Sequence, residues 1–174
     1  MTGAQGFIGR HLSRYLADTG FTVVGLGHGI WPEIEAKKFG LTQWVNSDIT
    51  SNSLRILQQT HGVPDVVFHL AGGSSVGVAV SNPREDFFRT VATTVELLDW
   101  MRLDAPATKL VAISSAAVYG AGHTGQIVEQ ATLNPYSPYG HHKRMMEDLC
   151  RSYAASYGTQ VVIARLFFSV RGRP

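Results

Sequence analysis

The sequence predicts an α/β fold, a doubly wound parallel sheet carrying helices on both faces. Three observations predict it. Short β-rich runs alternate along the chain with segments of helical periodicity, the pattern that pairs strands in parallel through crossover helices. A glycine-spaced loop, Thr2-Gly3-Ala4-Gln5-Gly6-Phe7-Ile8-Gly9, has the form of a phosphate cradle. The 174 residues, 44% hydrophobic and 16% charged, suffice for one domain with a sizeable core, and a second full domain does not fit.

The elements follow in order. In the opening loop the first glycine permits a tight turn, the second lets backbone approach a pyrophosphate, and the third lets the next helix pack on the sheet. The helix N-terminus then faces the phosphate charge. Gly3, Gly6 and Gly9, with Phe7 and Ile8 between them, are therefore the first candidates for binding a dinucleotide. Phe7, Ile8, Leu12, Tyr15 and Leu16 recur at helical spacing, so the loop enters a helix. The strand expected before the loop would fall ahead of Met1, which makes the expected fold a Rossmann-like sheet lacking most of its first strand. In the order 3-2-1-4-5-6 that strand is central and pairs on both edges. Either its neighbours, starting near Phe21 and Asp65, close up, or the few residues around Met1 partly fill the gap.

Phe21 to Gly27 reads as a strand, and Trp44-Val45 leading to Asp48 as another. Asp65 to Leu70 is a buried strand bounded by Pro64 and by Gly72-Gly73. Asn82-Pro83 caps and starts a long helix through Trp100, with Phe87, Val91, Val95, Leu97 and Leu98 on its apolar side. Lys109 to Ser114 is a strand, Tyr139 to Ser156 a helix, and Gln160 to Phe167 a last strand. The stretch from Gly120 to Ser137 is the one long irregular segment, and such segments in compact domains are usually functional or mobile. The sequence contains no internal repeat and no low-complexity linker.

The net charge is +2 with Lys and Arg scattered along the chain, which implies neither a nucleic-acid nor a membrane partner. Cys150 is the only cysteine; it excludes an internal disulfide, fits a reducing compartment and reads as a core filler. No apolar run approaches a membrane span and no signal-peptide core opens the chain, so the expected localisation is cytoplasmic. No metal site is assigned.

Tyr139-Gly140-His141-His142-Lys143 places a phenol and an ammonium four residues apart on one helix face. A neighbouring cation favours phenolate and lowers a tyrosine pKa toward working pH, which makes Tyr139 a candidate base. Ser115, at the end of an earlier strand, is placed to hydrogen-bond and orient the same substrate hydroxyl. Each of these patterns alone is a common coincidence; their order behind the glycine loop gives them weight.

Taken together, the residues resemble the extended short-chain dehydrogenase/reductase family, the NAD-dependent epimerase/dehydratases acting on nucleotide sugars. Thr2 to Gly9 resembles the family's cofactor loop, Ser47-Asp48-Ile49 its adenine-contacting segment, and His69-Leu70-Ala71-Gly72 its strand-end motif beside the cofactor. Ser114 to Gly120 is similar to its serine segment, with the active hydroxyl on Ser115, and Ser137 to Lys143 to its Tyr/Lys segment. The resemblance implies that Asp48, Ile49, Leu70, Ala71, Gly72, Tyr139 and Lys143 join the glycine loop in holding NAD. Ser115, Tyr139 and Lys143 would carry the chemistry.

This sequence also departs from the family pattern. His28 in Gly25-Leu26-Gly27-His28-Gly29 stands where the family usually has an acidic ribose ligand, so NADP is not excluded. Thr90 stands in place of a usual Asn, and a hydroxyl makes fewer hydrogen bonds than an amide. Arg165 to Gly172 resembles the family's Arg-x-Phe segment with one extra residue and with Arg171 in place of Tyr. The family's sugar-gripping C-terminal part would follow Pro174, so the resemblance implies a chain truncated at both ends, with residues 1–174 as its NAD(P)-binding domain. Its implied substrate is a nucleotide sugar and its implied chemistry that of an epimerase or related oxidoreductase. Ala116-Ala117 stand where a dehydratase would carry its added acid/base pair, which disfavours dehydration. A homodimer is compatible with the resemblance. A truncated, non-catalytic cofactor-binding remnant is the alternative, and a Rossmann-like interaction module a third.

Overall fold

The computed structural model describes residues 1–167. Its elements are α1 (Phe7–Asp18), β1 (Val23–Gly27), α2 (Glu33–Lys38), β2 (Leu41–Asn46), α3 (Ser51–His61), β3 (Val66–His69), α4 (Val76–Ser81) and α5 (Pro83–Phe87). They continue as a π-helical turn (Phe88–Ala92), α6 (Thr93–Asp104), β4 (Lys109–Ser115), a 3-10 turn (Ala116–Val118), α7 (Pro138–Tyr157) and β5 (Gln160–Leu166). β1 pairs with β2, β3 with β4 and β4 with β5, all in parallel, as the alternation of elements requires.

The central gap is bridged by the first residues of the chain. Thr2 forms parallel bridges to Leu26 on one side and His69 on the other. Leu26 N–H donates to the Met1 carbonyl (2.9 Å), Gly3 N–H to Leu26 (3.0 Å), Thr2 N–H to Phe68 (2.9 Å) and Leu70 N–H to Thr2 (3.2 Å). The neighbours therefore do not close up, and the order is β2-β1-(Met1 to Gly3)-β3-β4-β5. A cavity of about 360 Å³ lies between β1 and β3, lined in part by Leu16, Phe21, Val23, Leu54, Val66 and Trp100. The Met1 amino group borders it, donating to the Val24 carbonyl at 2.6 Å. Burial pulls the pKa of that amine down to about 6.

Side chains reinforce the bridge. His69 is buried at the end of β3, with Nδ1 2.7 Å from the Thr2 hydroxyl and Nε2 3.1 Å from that of Thr94. Thr94 spends its proton on the Thr90 carbonyl (2.7 Å), so it accepts from His69 Nε2–H and leaves Nδ1 to accept from Thr2. Burial above all, with the Lys143 charge adding to it, lowers the His69 pKa to about 3 and keeps the imidazole neutral.

The main core gathers Leu26, Val67, Leu97, Leu98, Leu110 and Met146 between the sheet and the flanking helices. Cys150 lies in it with no exposed surface, and burial pushes its thiol up to about 12, so it is the inert filler expected. α1 forms where the helical spacing predicts it, but the apolar residues that open it do not make its buried face, since Phe7 is 82% and Tyr15 65% exposed while Gly9 and Ser13 are buried. Small residues let the helix sit close to the loop beneath it. Nor is the segment from Asn82 one continuous helix. Asn82 makes no side-chain cap bond, and a π-helical turn separates α5 from α6. There the hydroxyls of Thr93 and Thr94 bond the carbonyls of Arg89 and Thr90, both at 2.7 Å, a kind of back-bonding that bends helices.

The other side of the sheet is fastened by Glu147 on α7. Its carboxylate has no exposed surface, accepts from Ser114 at 2.6 Å, is gripped by Arg165 through Nε (2.9 Å) and Nη2 (2.7 Å), and accepts from Arg151 at 2.6 Å. Burial alone would raise its pKa, but the bonds from Arg165, Ser114 and Arg151 outweigh it and hold the carboxyl below its ordinary value.

Removing a partner from such a buried ion pair leaves uncompensated charge, so Glu147→Gln should lower stability at pH 7 by about 3 kcal/mol in urea unfolding. Because the folded pKa is depressed, this contribution is complete above the ordinary carboxylate value and lost as pH falls through the folded one; the gap between parent and variant should close in acid. His69 acts in the same direction. With its folded pKa near 3 against 6.5 unfolded, the unfolded chain binds the extra proton in that window, so thermal unfolding should show stability falling as pH drops below 6.5. A His69→Gln variant should show a shallower fall.

Candidate active site

All the strands of the parallel sheet end on one edge, where ligands bind in open α/β sheets. The Thr2 to Gly9 loop, His28 after β1, Asp48 after β2, Leu70 to Gly72 after β3 and Ser115 at the end of β4 meet there. The cavity between β1 and β3 lies away from this edge, toward the N-terminal ends of the strands, where Phe21 and Val63 line it.

The glycine loop owes its shape to close backbone approach. Gly3 has φ +69°, and a Cβ on it would fall 2.7 Å from the Ala71 nitrogen, so only glycine fits there. A Cβ on Gly9 would fall 2.5 Å from the Gly3 carbonyl, which seats α1 directly on the loop. Gly6 is the N-cap of α1, and a Cβ there would meet only the Gly3 carbonyl at 3.3 Å. No side chain caps α1 and no acidic residue stands in its first turn, so the N–H groups of that turn are available to an anion. The residues thus fit a dinucleotide pyrophosphate.

His28 and Asp48 are brought together at 3.1 Å, both about three-quarters exposed on the rim of this edge. Ile49 is 6% exposed and packs in the core with Leu54 and Leu97, drawn in by its own hydrophobicity, so only its backbone faces this edge beside Asp48. Leu70, Ala71 and Gly72 are half-buried, and the Ala71 N–H reaches the Thr2 hydroxyl at 3.3 Å.

Ser115, Tyr139 and Lys143 are all buried. Ser137 caps α7 by accepting from Gly140 N–H at 3.2 Å, with Pro138 in the first turn, and this sets Tyr139 and Lys143 facing the end of β4. The Ser115 hydroxyl accepts from Ala117 N–H at 3.2 Å. The Lys143 ammonium lies 5.9 Å from the centre of the Tyr139 ring and donates to the Ile113 carbonyl at 3.0 Å.

The electrostatics correct one expectation. Tyr139 is raised above its ordinary pKa, because burial outweighs the hydrogen bond with Ser115 that pulls it down, and the Asp86 charge adds to the rise. Burial lowers Lys143 to about 8, with Asp86 opposing. The nearby cation therefore does not produce a low tyrosine pKa in this site by itself.

Thr90 sits buried beside the site, its hydroxyl accepting from Gly73 N–H at 2.8 Å. Other participants received no role from sequence reading, although Thr2 and His69 stand inside the motifs that carry the resemblance. Thr2 and His69 join the loop to β3, Glu147 fixes α7, and Asp86 meets His142 at 2.5 Å. Glu147 had a positional signal, one helical turn beyond Lys143 on the same face. The Arg165 segment is described up to Phe167; Phe168 to Gly172, including Arg171, lie outside the described residues.

The model of the NAD dependent epimerase/dehydratase family matches residues 1–170. The UDP-glucose 4-epimerase of Azospirillum brasilense is 36% identical over 99% of this chain and 49% of its own length. Among solved structures, the Brucella ovis UDP-glucose 4-epimerase in complex with NAD superimposes with a TM-score of 0.82 at 30% identity, covering 95% of this chain and 50% of that one. The Bacillus cereus UDP-glucuronic acid 4-epimerase in complex with UDP-glucuronic acid and NAD gives a TM-score of 0.79 at 31% identity, covering 94% and 54%. The chain spans about half the length of these relatives. By sequence and by fold, the chain belongs to the NAD dependent epimerase/dehydratase family.

Proposed function

We propose that the chain carries the cofactor-binding and catalytic residues of an NAD-dependent nucleotide-sugar epimerase. The observation that carries this reading is the meeting of Ser115, Tyr139 and Lys143 at the sheet edge that also holds the glycine loop. The relatives' names and their NAD and nucleotide-sugar complexes support it. Gly3, Gly6 and the first turn of α1 would hold the pyrophosphate, with His28, Asp48 and Leu70 to Gly72 along the rest of the cofactor. With His28 in place of an acid, the residues leave the choice between NAD and NADP open.

When bound, the nicotinamide supplies reversible uptake of hydride from a sugar carbon. The phenol oxygen of Tyr139 exchanges the proton of the adjacent sugar hydroxyl, and Ser115 orients that hydroxyl by hydrogen bonding. Lys143 binds the nicotinamide ribose and sets positive charge near the phenol. Ala116 and Ala117 offer no acid or base for loss of water, so epimerisation is favoured over dehydration.

Fluorescence titration with NADH should give saturable binding, and its absence at millimolar ligand with a folded protein would remove the cofactor assignment. Gly6→Val should abolish binding with unchanged circular dichroism, since its side chain enters the space of the pyrophosphate while meeting little protein. Where UDP-glucose is turned over, Tyr139→Phe should lower kcat by a factor of roughly 10²–10⁴ while keeping NADH affinity. Near-parental turnover would assign the base elsewhere. Lys143→Met should lower both.

A further inference from the structure

Asp86 stands apart from the residues already placed in the site. It is buried on α5, its Oδ2 lies 2.5 Å from His142 Nδ1, and its Oδ1 has no hydrogen-bond partner. A carboxylate oxygen withdrawn from water without a donor is unfavourable and calls for a physical reason.

The reason lies across Gly72-Gly73. A Cβ on Gly73 would fall 1.7 Å from Asp86 Oδ1, and one on Gly72 would fall 3.2 Å from Lys143 Nζ. The two glycines are wedged between a carboxylate and an ammonium, and a side chain on Gly73 would displace the carboxylate. Thr90 pins the wedge through the Gly73 N–H. His142 precedes Lys143 on α7 and packs edge-on against Phe87 at 5.6 Å, so the group that grips Asp86 and the ammonium ride on one helix.

Lys143 needs such support. Among the described residues its ammonium has one hydrogen-bond partner, the Ile113 carbonyl, in a buried position that disfavours charge. The titratable groups around it are Tyr139 and His142 on its own helix, His69 at the end of β3 and Asp86 on α5. Tyr139 is held as a phenol and His69 as a neutral imidazole, so neither supplies an anion at neutral pH. Asp86 does.

We propose that Asp86 and His142 are a positioning pair for Lys143: His142 grips the carboxylate, whose charge, acting across the Gly72-Gly73 wedge, keeps the Lys143 ammonium charged and in place beside Tyr139. The inference rests on the reading of Lys143 as a site residue and adds two residues to it. It also accounts for glycine at position 73.

Lysine stands only at positions 37, 38, 109 and 143, so in protein labelled with ¹³C-lysine the Cε signal of Lys143 is assigned by its loss in Lys143→Met. Its titration midpoint in the parent should lie near 8. Asp86→Asn, which keeps the shape and removes the charge, should lower the midpoint by about one pH unit. His142→Leu, which removes the grip, should shift it in the same direction, and His142→Gln, which keeps a donor, should restore it. A parental midpoint in folded Asp86→Asn overturns the proposal; if that variant does not fold, a parental midpoint in His142→Leu does so. NADH titration of the same parent sample separates the two readings, since absence of binding there overturns the proposed function and leaves the Lys143 midpoint as a measure of the pair.

Discussion

The sheet depends on Thr2. Its main chain bonds to the strands on both sides, and its hydroxyl meets His69 and the Ala71 N–H, so one residue joins the two halves of the sheet and aligns the ends of β1 and β3. Gly3 follows in a left-handed conformation against the backbone of Leu70 and Ala71, which sets the distance between the glycine loop and the strand-end motif. Because these contacts are backbone to backbone, they are insensitive to side-chain rotamers, and the loop is held as a rigid cradle. The neutral state of His69 belongs to the same arrangement: a charged imidazole would have two donors and no acceptor to offer Thr2.

The second half of the site hangs on α7 and is secured in a different way. Glu147 ties this helix to the end of β4 through Ser114 and to β5 through Arg165, and every part of its carboxylate is satisfied. Asp86 contrasts with it. Both are buried carboxylates near α7, yet one is surrounded by donors and the other keeps a bare oxygen beside the site. Fully paired charge fixes structure, while incompletely paired charge leaves a field that acts on neighbours, here Lys143 and Tyr139. The site is therefore built from a neutral, backbone-bonded side and a charged, helix-borne side that meet at Gly72 and Gly73.

Local features determined much of this. The alternation of elements, the parallel sheet, the turn at Gly3, the seating of Gly9 under α1 and the shared face of Tyr139 and Lys143 all follow from period, spacing and the stereochemistry of glycine, which act over a few residues. Tertiary structure decided what depends on groups distant in sequence. Met1 to Gly3 bridge the sheet because β1 and β3 present unpaired backbone groups to them; Ile49 turns into the core because that core exists only once α3 and α6 pack. The Tyr139 pKa rises rather than falls because burial is a property of the assembled site and outweighs its neighbours there. Asp86 and His142, 56 residues apart, carry no pattern that period or spacing could reveal. The sequence by itself determined which chemical groups are present and on which element each is carried; only the folded chain decided which of them are buried together, and burial sets their charge.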